Sequence, residues 1–240
     1  MNNHAKEPNF LILEGNIGAG KSTMMRLLSK LPSVALIPEP TDKWQHVNQQ
    51  ENLLDLFYRD TPRWAYTFQS YAFLTRLQAV LEYRARNLND AVHVLERSVY
   101  CDRFCFAKNC YEQGLMTPLE WHIYQEWFLW LVESYSPLPS GFIYLRTTPE
   151  TAYARLMKRN RQEERGVTLD YLTLLHTKHE QWLIDKIDVF SSLRSVPVLV
   201  LDCDKEFEFD AAIQEQHLMR ITDFIDHLNT APAVATAAMI

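Results

Sequence analysis

The sequence predicts an α/β fold: a doubly wound, five-stranded parallel sheet with helices on both faces. Three observations predict it. Five short apolar runs alternate along the chain with longer amphipathic stretches. The runs are apolar throughout, which is typical of parallel strands that are covered on both faces. The amphipathic stretches are long enough to be the crossover helices that parallel strands need.

The five predicted strands are five to seven residues long. In chain order they are Phe10–Glu14, Val34–Glu39, His93–Arg97, Phe142–Arg146 and Val196–Asp202. Ligands of a doubly wound sheet bind at the carboxyl ends of its strands. We therefore expect the functional residues in the segments that directly follow these strands.

Seven helices are predicted: Lys21–Leu31, Arg63–Arg86, Asp102–Glu112, Pro118–Ser134, Pro149–Arg159, Leu169–Phe190 and Ala211–Leu228. Threonine precedes a first-turn proline at Thr117-Pro118 and at Thr148-Pro149, which is a helix-start signal. The chain contains no repeat and no Gly/Ser-rich linker. We therefore predict one domain over residues 1–240, with its core at 10–228 and a loose tail at 230–240.

The charge distribution argues against nucleic-acid and membrane partners. The 240 residues include 24 Lys and Arg and 30 Asp and Glu, for a net charge of −6, and residues 201–240 alone carry that excess. The rest of the chain is balanced, so no basic face is expected. No apolar run is long enough to span a membrane, and no targeting peptide is evident. These features predict a cytoplasmic or nuclear protein.

Cysteine and histidine positions give no sequence signal for a metal centre. The four cysteines form no CxxC pair, so free and packed thiols in a reducing compartment are expected. His176 and His179 have the spacing of one helix face, but no acid or cysteine signature accompanies them. We expect these side chains to belong to the core.

A glycine-rich motif directly follows the first predicted strand. Residues 15–22 read GNIGAGKS and fit G-x-x-x-x-G-K-[ST] between a strand and a helix. Such a loop folds its backbone N–H groups around phosphate oxygens, and the helix N-terminus adds its dipole. The motif predicts nucleotide binding and a fold of the P-loop NTPase type. Lys21 would reach the β- and γ-phosphates, and the Ser22 hydroxyl would bind Mg²⁺. The predicted contacts are Gly15, Asn16, Ile17, Gly18, Ala19, Gly20, Lys21, Ser22 and Thr23.

With this motif, several segments resemble the deoxyribonucleoside kinase family. They read FLILEGNIGAGKST, IPEPTDKW, NLLDLFYRDTPRWAYTFQSYAFLTRL, LERSVYCDRFCFAKN, EWHIYQEW, GFIYLRTTPET, RNRQEERG and YLTLLHTKHEQWL. They occur in the family's order over about residues 10–228, and they are most similar to the deoxyguanosine and deoxycytidine kinase branch. The resemblance implies nucleotide salvage, in which the γ-phosphoryl group of ATP passes to the 5′-hydroxyl of a deoxyribonucleoside.

The resemblance implies a role for each residue at the reacting end. Glu39 matches the family's general base, which an alcohol nucleophile needs. Glu96 would help to hold Mg²⁺, and Arg97 would contact the substrate near its 5′-oxygen. An arginine-rich lid is implied at about residues 155–166, where Arg159 and Arg161 would close on the triphosphate. Arg155 would contact phosphate or face solvent.

The resemblance also implies a nucleoside pocket. Its predicted residues are Trp44, Leu54, Tyr58, Phe68, Gln69, Arg76, Asp102, Phe106 and Glu164, together with Glu39 and Arg97. Gln69 would read the base between Phe68 and Phe106, and Tyr58 with Glu164 would hold the sugar 3′-hydroxyl. Arg76 and Asp102 would pair beside the base and occupy the space that a thymine methyl group needs.

The resemblance narrows the choice of nucleoside substrate and of phosphate donor but does not fix either. The Arg76–Asp102 pair favours purine deoxynucleosides or deoxycytidine over thymidine and leaves the order of dA, dG and dC open. Glu206 and Phe207 match the loop that holds the donor's base, and both ATP and UTP remain possible donors. Many large apolar residues on the predicted helices suggest a homodimer, as in the family.

Two rival functions remain open. A nucleoside monophosphate kinase such as thymidylate kinase shares the fold, but its acceptor is a phosphate, which would need a basic residue where this chain has Glu39. A P-loop module that binds or scaffolds without turnover is the other. It would have no need of the reactive residues, yet Lys21, Ser22, Glu39, Arg97 and Arg159 are all present.

Overall fold

A computed structural model of the protein describes residues 9–32, 34–86 and 92–230. Five parallel strands form one sheet in the order β2-β3-β1-β4-β5. They are β1 (Asn9–Gly15), β2 (Val34–Ile37), β3 (Val92–Glu96), β4 (Gly141–Arg146) and β5 (Val198–Asp202). All five predicted strands are confirmed, with shorter bounds for two. Proline has no N–H to donate to the ladder, so β2 ends before Pro38 and β5 begins after Pro197.

Eleven α-helices surround the sheet in the described part of the chain. They are α1 (Lys21–Leu28), α2 (Thr41–Gln45), α3 (Leu53–Arg59), α4 (Thr61–Arg84), α5 (Val99–Cys101), α6 (Lys108–Glu112), α7 (Pro118–Tyr135), α8 (Pro149–Arg159), α9 (Leu169–His179), α10 (Ser191–Arg194) and α11 (Ala211–Thr230). Two π-helical segments extend this set: Asp102–Ala107 joins α5 to α6, and Glu180–Ile184 continues α9. None of these helices is long and apolar enough to cross a bilayer.

The seven predicted helices are present: Pro149–Arg159 has the predicted bounds, and the other six have altered ends. The predicted helix Leu169–Phe190 stops at Ile184, and α2 and α3 were not predicted. Thr230, the first residue of the predicted tail, belongs to α11, and residues 231–240 lie outside the described residues. Prolines begin α7 and α8 behind the predicted threonine caps, and Thr117 with Glu120 forms a capping box.

The central strand β1 divides the core into two layers. Phe10 and Ile12 pack on the face covered by α4 and α7, whereas Leu11 and Leu13 pack on the face covered by α1 and α11. This alternation follows from the period of two in a strand. Helices therefore cover both faces, as the apolar strands predict. The four cysteines are buried and free.

Candidate active site

The loop after β1 is held from within by Lys21. Its Nζ donates to the carbonyl oxygens of Gly15, at 3.0 Å, and of Asn16, at 2.8 Å. The Asn16 side chain donates to the Leu172 carbonyl at 2.8 Å and so ties the loop to α9. Burial, with the nearby charge of Arg97, lowers the pKa of Lys21 to about 8. The loop is thus preformed around a lysine that any bound anion would stabilise in its charged form.

Two glycines in this loop are required by both conformation and space. Gly18 and Gly20 have φ angles of +80° and +97°, which L-residues with a Cβ rarely adopt. A Cβ at Gly18 would collide with the Ala152 carbonyl in α8, and a Cβ at Gly20 would lie 2.6 Å from the ring of Phe207. The phosphate loop is therefore packed directly against α8 and against the segment after β5.

Four charged side chains meet beside this loop. Glu39 Oε1 lies 3.0 Å from Arg76 NH1 and 3.1 Å from Arg97 Nε. Arg76 also donates to both oxygens of Asp102, at 2.9 and 3.0 Å. The strand ends of β2 and β3 supply Glu39 and Arg97, whereas α4 supplies Arg76. The arrangement gives two carboxylates and two guanidinium groups in mutual contact.

The charge balance of this group decides its ionisation. Burial alone would raise the pKa of Glu39, but the charges of Arg76, Arg97 and Lys21 outweigh it and lower the pKa to about 2. Burial alone would lower the pKa of Arg76 and of Arg97. Their acidic and thiol partners outweigh it, so the pKa of each is raised. Glu39 is therefore ionised at neutral pH and can accept a proton.

Glu96 stands between the phosphate loop and Glu39. Its Oε1 lies 3.5 Å from the Ser22 hydroxyl, and its Oε2 lies 3.5 Å from the backbone nitrogen of Glu39. A carboxylate beside a hydroxyl at a phosphate loop is the oxygen donor set that Mg²⁺ prefers. Ser22 and Glu96, the predicted metal ligands, are thus brought together where the first turn of α1 meets the carboxyl end of β3.

One cavity of about 510 Å³ connects these features. It is lined by most of the sequence-predicted residues: Ile17, Gly18, Gly20, Lys21, Ser22, Thr23, Glu39, Trp44, Leu54, Tyr58, Phe68, Gln69, Arg76, Glu96, Arg97, Asp102, Phe106, Arg159, Arg161, Glu164, Glu206 and Phe207. Gly15, Asn16 and Ala19 do not line it. Thr41, Phe57 and Lys158 line it without having been predicted. The spacing of Leu54, Phe57 and Tyr58 on α3 is the helical pattern that could have revealed Phe57.

Aromatic rings build the wall of the cavity away from the phosphate loop. Phe68 stacks on Phe57 with centroids 4.6 Å apart, and Trp44 meets Phe68 edge to face at 5.5 Å. The Trp44 Nε1 donates to Thr75 at 2.8 Å, which fixes the indole. Phe106 lies beneath the Arg97 guanidinium at 4.6 Å. The result is an apolar slot with rigid walls.

Gln69 places an amide in this slot with unused hydrogen-bonding capacity. Its side chain is buried, and its Nε2 has no hydrogen-bond partner among the described residues. A buried donor without a partner costs about 1–3 kcal/mol. Such a group in a cavity indicates that a ligand atom completes it.

The segment predicted to be the lid lines the cavity and is joined internally by ion pairs. Arg159 NH2 lies 2.5 Å from Glu164 Oε2, and Arg161 NH1 lies 3.8 Å from Glu164 Oε1. Glu163 accepts hydrogen bonds from Gln45 at 2.8 Å and from Asn52 at 3.0 Å. These amides on the opposite side anchor the lid. Tyr58, the predicted partner of Glu164, has its pKa raised by burial and by the Glu164 charge.

Arg155 and Phe207 connect the segment after β5 to α8 and to the phosphate loop. Arg155 donates to the carbonyl oxygens of Cys203 at 2.7 Å and Lys205 at 2.9 Å, and it also lines the cavity. Phe207 is only 1 % exposed, and its ring packs under Gly20 and edge-on to His217. Glu206 accepts from the Glu208 backbone N–H at 3.0 Å.

Comparison with known proteins gives a consistent result. A sequence model of the family described as deoxynucleoside kinase matches residues 11–226. Deoxycytidine kinase 2 of Gallus gallus is 43 % identical, with 89 % of each chain covered. A probable deoxycytidine kinase of Fowlpox virus is 41 % identical over 90 % of this chain and 88 % of its own. The mitochondrial deoxyguanosine kinase of Xenopus laevis is 36 % identical, with 90 % and 89 % covered.

The packing of Gly20 generates a testable prediction. Gly20→Ala combines an unfavourable φ with a collision against the Phe207 ring, so the phosphate loop must shift. A displacement of roughly 1 Å in a positioned site can cost about 100-fold in rate. We expect the affinity for ATP, measured by calorimetry, to fall at least about tenfold in this variant.

Gly114→Ala is the matched control. Gly114 has a φ of +71° but nothing within 4 Å of a new Cβ. Its variant should lose about 1–2 kcal/mol of stability from the left-handed backbone alone and keep its ATP affinity. Equal losses of ATP affinity in the two variants would contradict the packing argument.

Proposed function

The chain belongs to the deoxynucleoside kinase family, and on that premise we propose how its own residues transfer the γ-phosphoryl group of ATP to a deoxynucleoside 5′-hydroxyl. The observation that carries the proposal is the single cavity in which the phosphate loop, the Glu39–Arg97 pair and the unpartnered Gln69 amide face one another. Phosphoryl transfer needs a bound triphosphate and an activated hydroxyl in line with it, and one continuous space serves both.

We propose that Glu39 is the general base and that Arg97 positions the 5′-oxygen. Glu39 is ionised at neutral pH, so it can accept the hydroxyl proton without losing one first. Arg97 lies against it, and both line the cavity beside Lys21. The hydroxyl proton would therefore pass to Glu39, which lies between the guanidinium groups of Arg76 and Arg97.

Charge neutralisation on the triphosphate is proposed for Lys21, Arg159 and Arg161. The loop N–H groups and the Lys21 ammonium would bind the phosphate oxygens. Arg159 and Arg161 now pair with Glu164, and they lie on the lid side of the same cavity. Closing the lid on ATP would exchange part of this pairing for phosphate contacts and exclude water.

We propose Mg²⁺ as the metal, held by Ser22 and Glu96. Their neighbouring oxygens, 3.5 Å apart, fit a hard cation. When bound, Mg²⁺ neutralises charge that develops on the phosphate oxygens. The chain's own contribution is to fix the hydroxyl and the carboxylate at adjacent strand ends.

We propose that the aromatic slot takes the nucleoside base. Phe68 and Phe106 would flank it, and Trp44 and Leu54 would close its sides. Gln69 can donate and accept at once, which suits a base edge with an amine and an acceptor. Tyr58 and Glu164 would hold the 3′-hydroxyl and crowd the 2′ position.

The Arg76–Asp102 pair supports a preference for dA, dG or dC over dT. It is bidentate and buried, so it is a fixed obstacle to a thymine methyl group. The deoxycytidine and deoxyguanosine kinases among the relatives support the same preference. On the donor side, we propose that the adenine lies beside Glu206 and Phe207, which both line the cavity.

We infer a homodimer from the exposed aromatic face of α7. Trp127 and Trp130 are 54 % and 55 % exposed, and Tyr135 meets Trp130 edge to face. Such a patch is typical of a protein interface. We also place the protein in the cytoplasm or nucleus, which imaging of the full chain would test.

A substrate panel tests the proposed activity. The protein is incubated with ATP and Mg²⁺ plus dA, dG, dC, dT or dTMP, and ADP is measured, with a chelator arm for each. We expect ADP with dA, dG or dC, much less with dT, and none with the chelator. Absence of ADP with every nucleoside would overturn the proposal, and turnover of dTMP alone would favour a monophosphate kinase.

The role of Glu39 has a direct test. Glu39→Gln removes the proton acceptor but keeps the side-chain shape, so kcat should fall by about 10²–10⁴-fold while nucleoside affinity, measured by equilibrium dialysis, is kept. Glu82→Gln, an equal charge change on α4 next to Lys43, is the control and should keep kcat. An unchanged kcat in Glu39→Gln would exclude it as the base.

The dimer is tested by sedimentation. We expect the wild type to sediment at twice the 28.2 kDa chain mass and the double variant Trp127→Glu/Trp130→Glu to sediment as a monomer. Met219→Glu places a charge on an equally exposed apolar side chain of α11 and should stay dimeric. A monomeric wild type would disprove the interface.

A further inference from the structure

Two thiols and an imidazole meet in the core beneath Arg97. The Cys101 and Cys105 sulfurs and a ring nitrogen of His179 all lie within 4.8 Å of one another. Cys101 Sγ is 3.4 Å from His179 Nε2. None of the three residues has any solvent exposure. The described contacts place this cluster next to the active site but give it no part in the phosphoryl transfer.

The fold brings these groups together from separate elements. Cys101 ends α5, and Cys105 lies one turn later in the π-helical segment, so both can face the same side. His179 ends α9, which is 78 residues away from Cys101. The fold thus holds three soft or borderline donor atoms close enough to bind one metal ion.

The imidazole is oriented as in a metal-ligating histidine. His179 Nδ1 lies 2.7 Å from the Leu175 carbonyl oxygen. A carbonyl oxygen can only accept, so Nδ1 carries a proton, and Nε2, which faces Cys101, is the nitrogen available to a metal ion. A backbone carbonyl that fixes the tautomer in this way is the usual outer partner of a metal-bound imidazole.

We propose that Cys101, Cys105 and His179 form a structural Zn²⁺ site. Two thiolates and an imidazole are ligands that Zn²⁺ accepts in tetrahedral geometry. Binding releases the two thiol protons to solvent. The two thiolates carry two negative charges, which Zn²⁺ balances. Arg97 NH1, 3.3 Å from Cys101 Sγ, would donate to the metal-bound sulfur from outside the ligand set.

Cobalt absorption tests the site independently of kinase activity. Because the cluster is closed to solvent, the full chain, without an affinity tag, is refolded from denaturant with Co²⁺ and a phosphine reductant. We expect a sulfur-to-cobalt charge-transfer band and the intense visible bands of tetrahedral cobalt, which saturate at a single equivalent. Added Zn²⁺ should remove both and raise the melting temperature above that of the metal-free protein.

Cysteine variants assign the site. Cys105→Ser should weaken Co²⁺ binding at least about tenfold, and His179→Gln should do the same with the thiols retained. Cys110→Ser, at a buried thiol outside the cluster, should bind as the wild type does. A wild type without the sulfur band would overturn the proposal whether or not the variants fold, and so would equal binding by Cys105→Ser and Cys110→Ser.

Discussion

The contact of Glu39 with two arginines is the interaction on which the site depends. A buried charge needs partners, and each partner here needs a further one. Arg76 is shared between Glu39 and Asp102, and Arg97 between Glu39 and Cys101. The strand ends, α4 and the π-helical segment are thereby fixed relative to one another. Removing any one member leaves an uncompensated charge, so the network holds the geometry as well as the ionisation.

A second set of contacts joins the phosphate loop to α8 and to the segment after β5. Gly18 lies against α8, which ends at Arg159, and Gly20 lies on Phe207 of the segment after β5. Arg155 joins α8 to that same segment through two backbone carbonyl oxygens. The phosphate loop, α8 and the segment after β5 are therefore packed against one another.

The sequence predicts this molecule well where the signal is local. The buried strands are apolar throughout, the phosphate loop is contiguous, and the lid arginines form a dense run. It predicts less where contacts are distant. The short helices α2 and α3 carry too few turns to show a period, and the hydrogen bonds of Arg155 depend on a segment 48 residues away. The sequence pairs His179 with His176 by helical spacing alone. In the folded chain, His179 lies beside Cys101, which is 78 residues away.

The low pKa of Glu39 raises the question of how it could act as the base that we propose it to be. A carboxylate with a pKa of about 2 has little affinity for a proton. Phosphoryl transfer passes through a loose transition state in which the attacking oxygen has formed little of its new bond. The hydroxyl keeps its proton until late, when it has become strongly acidic, so a weak base suffices. What the reaction needs is a carboxylate that is always ionised and always in place, and the two arginines supply both conditions.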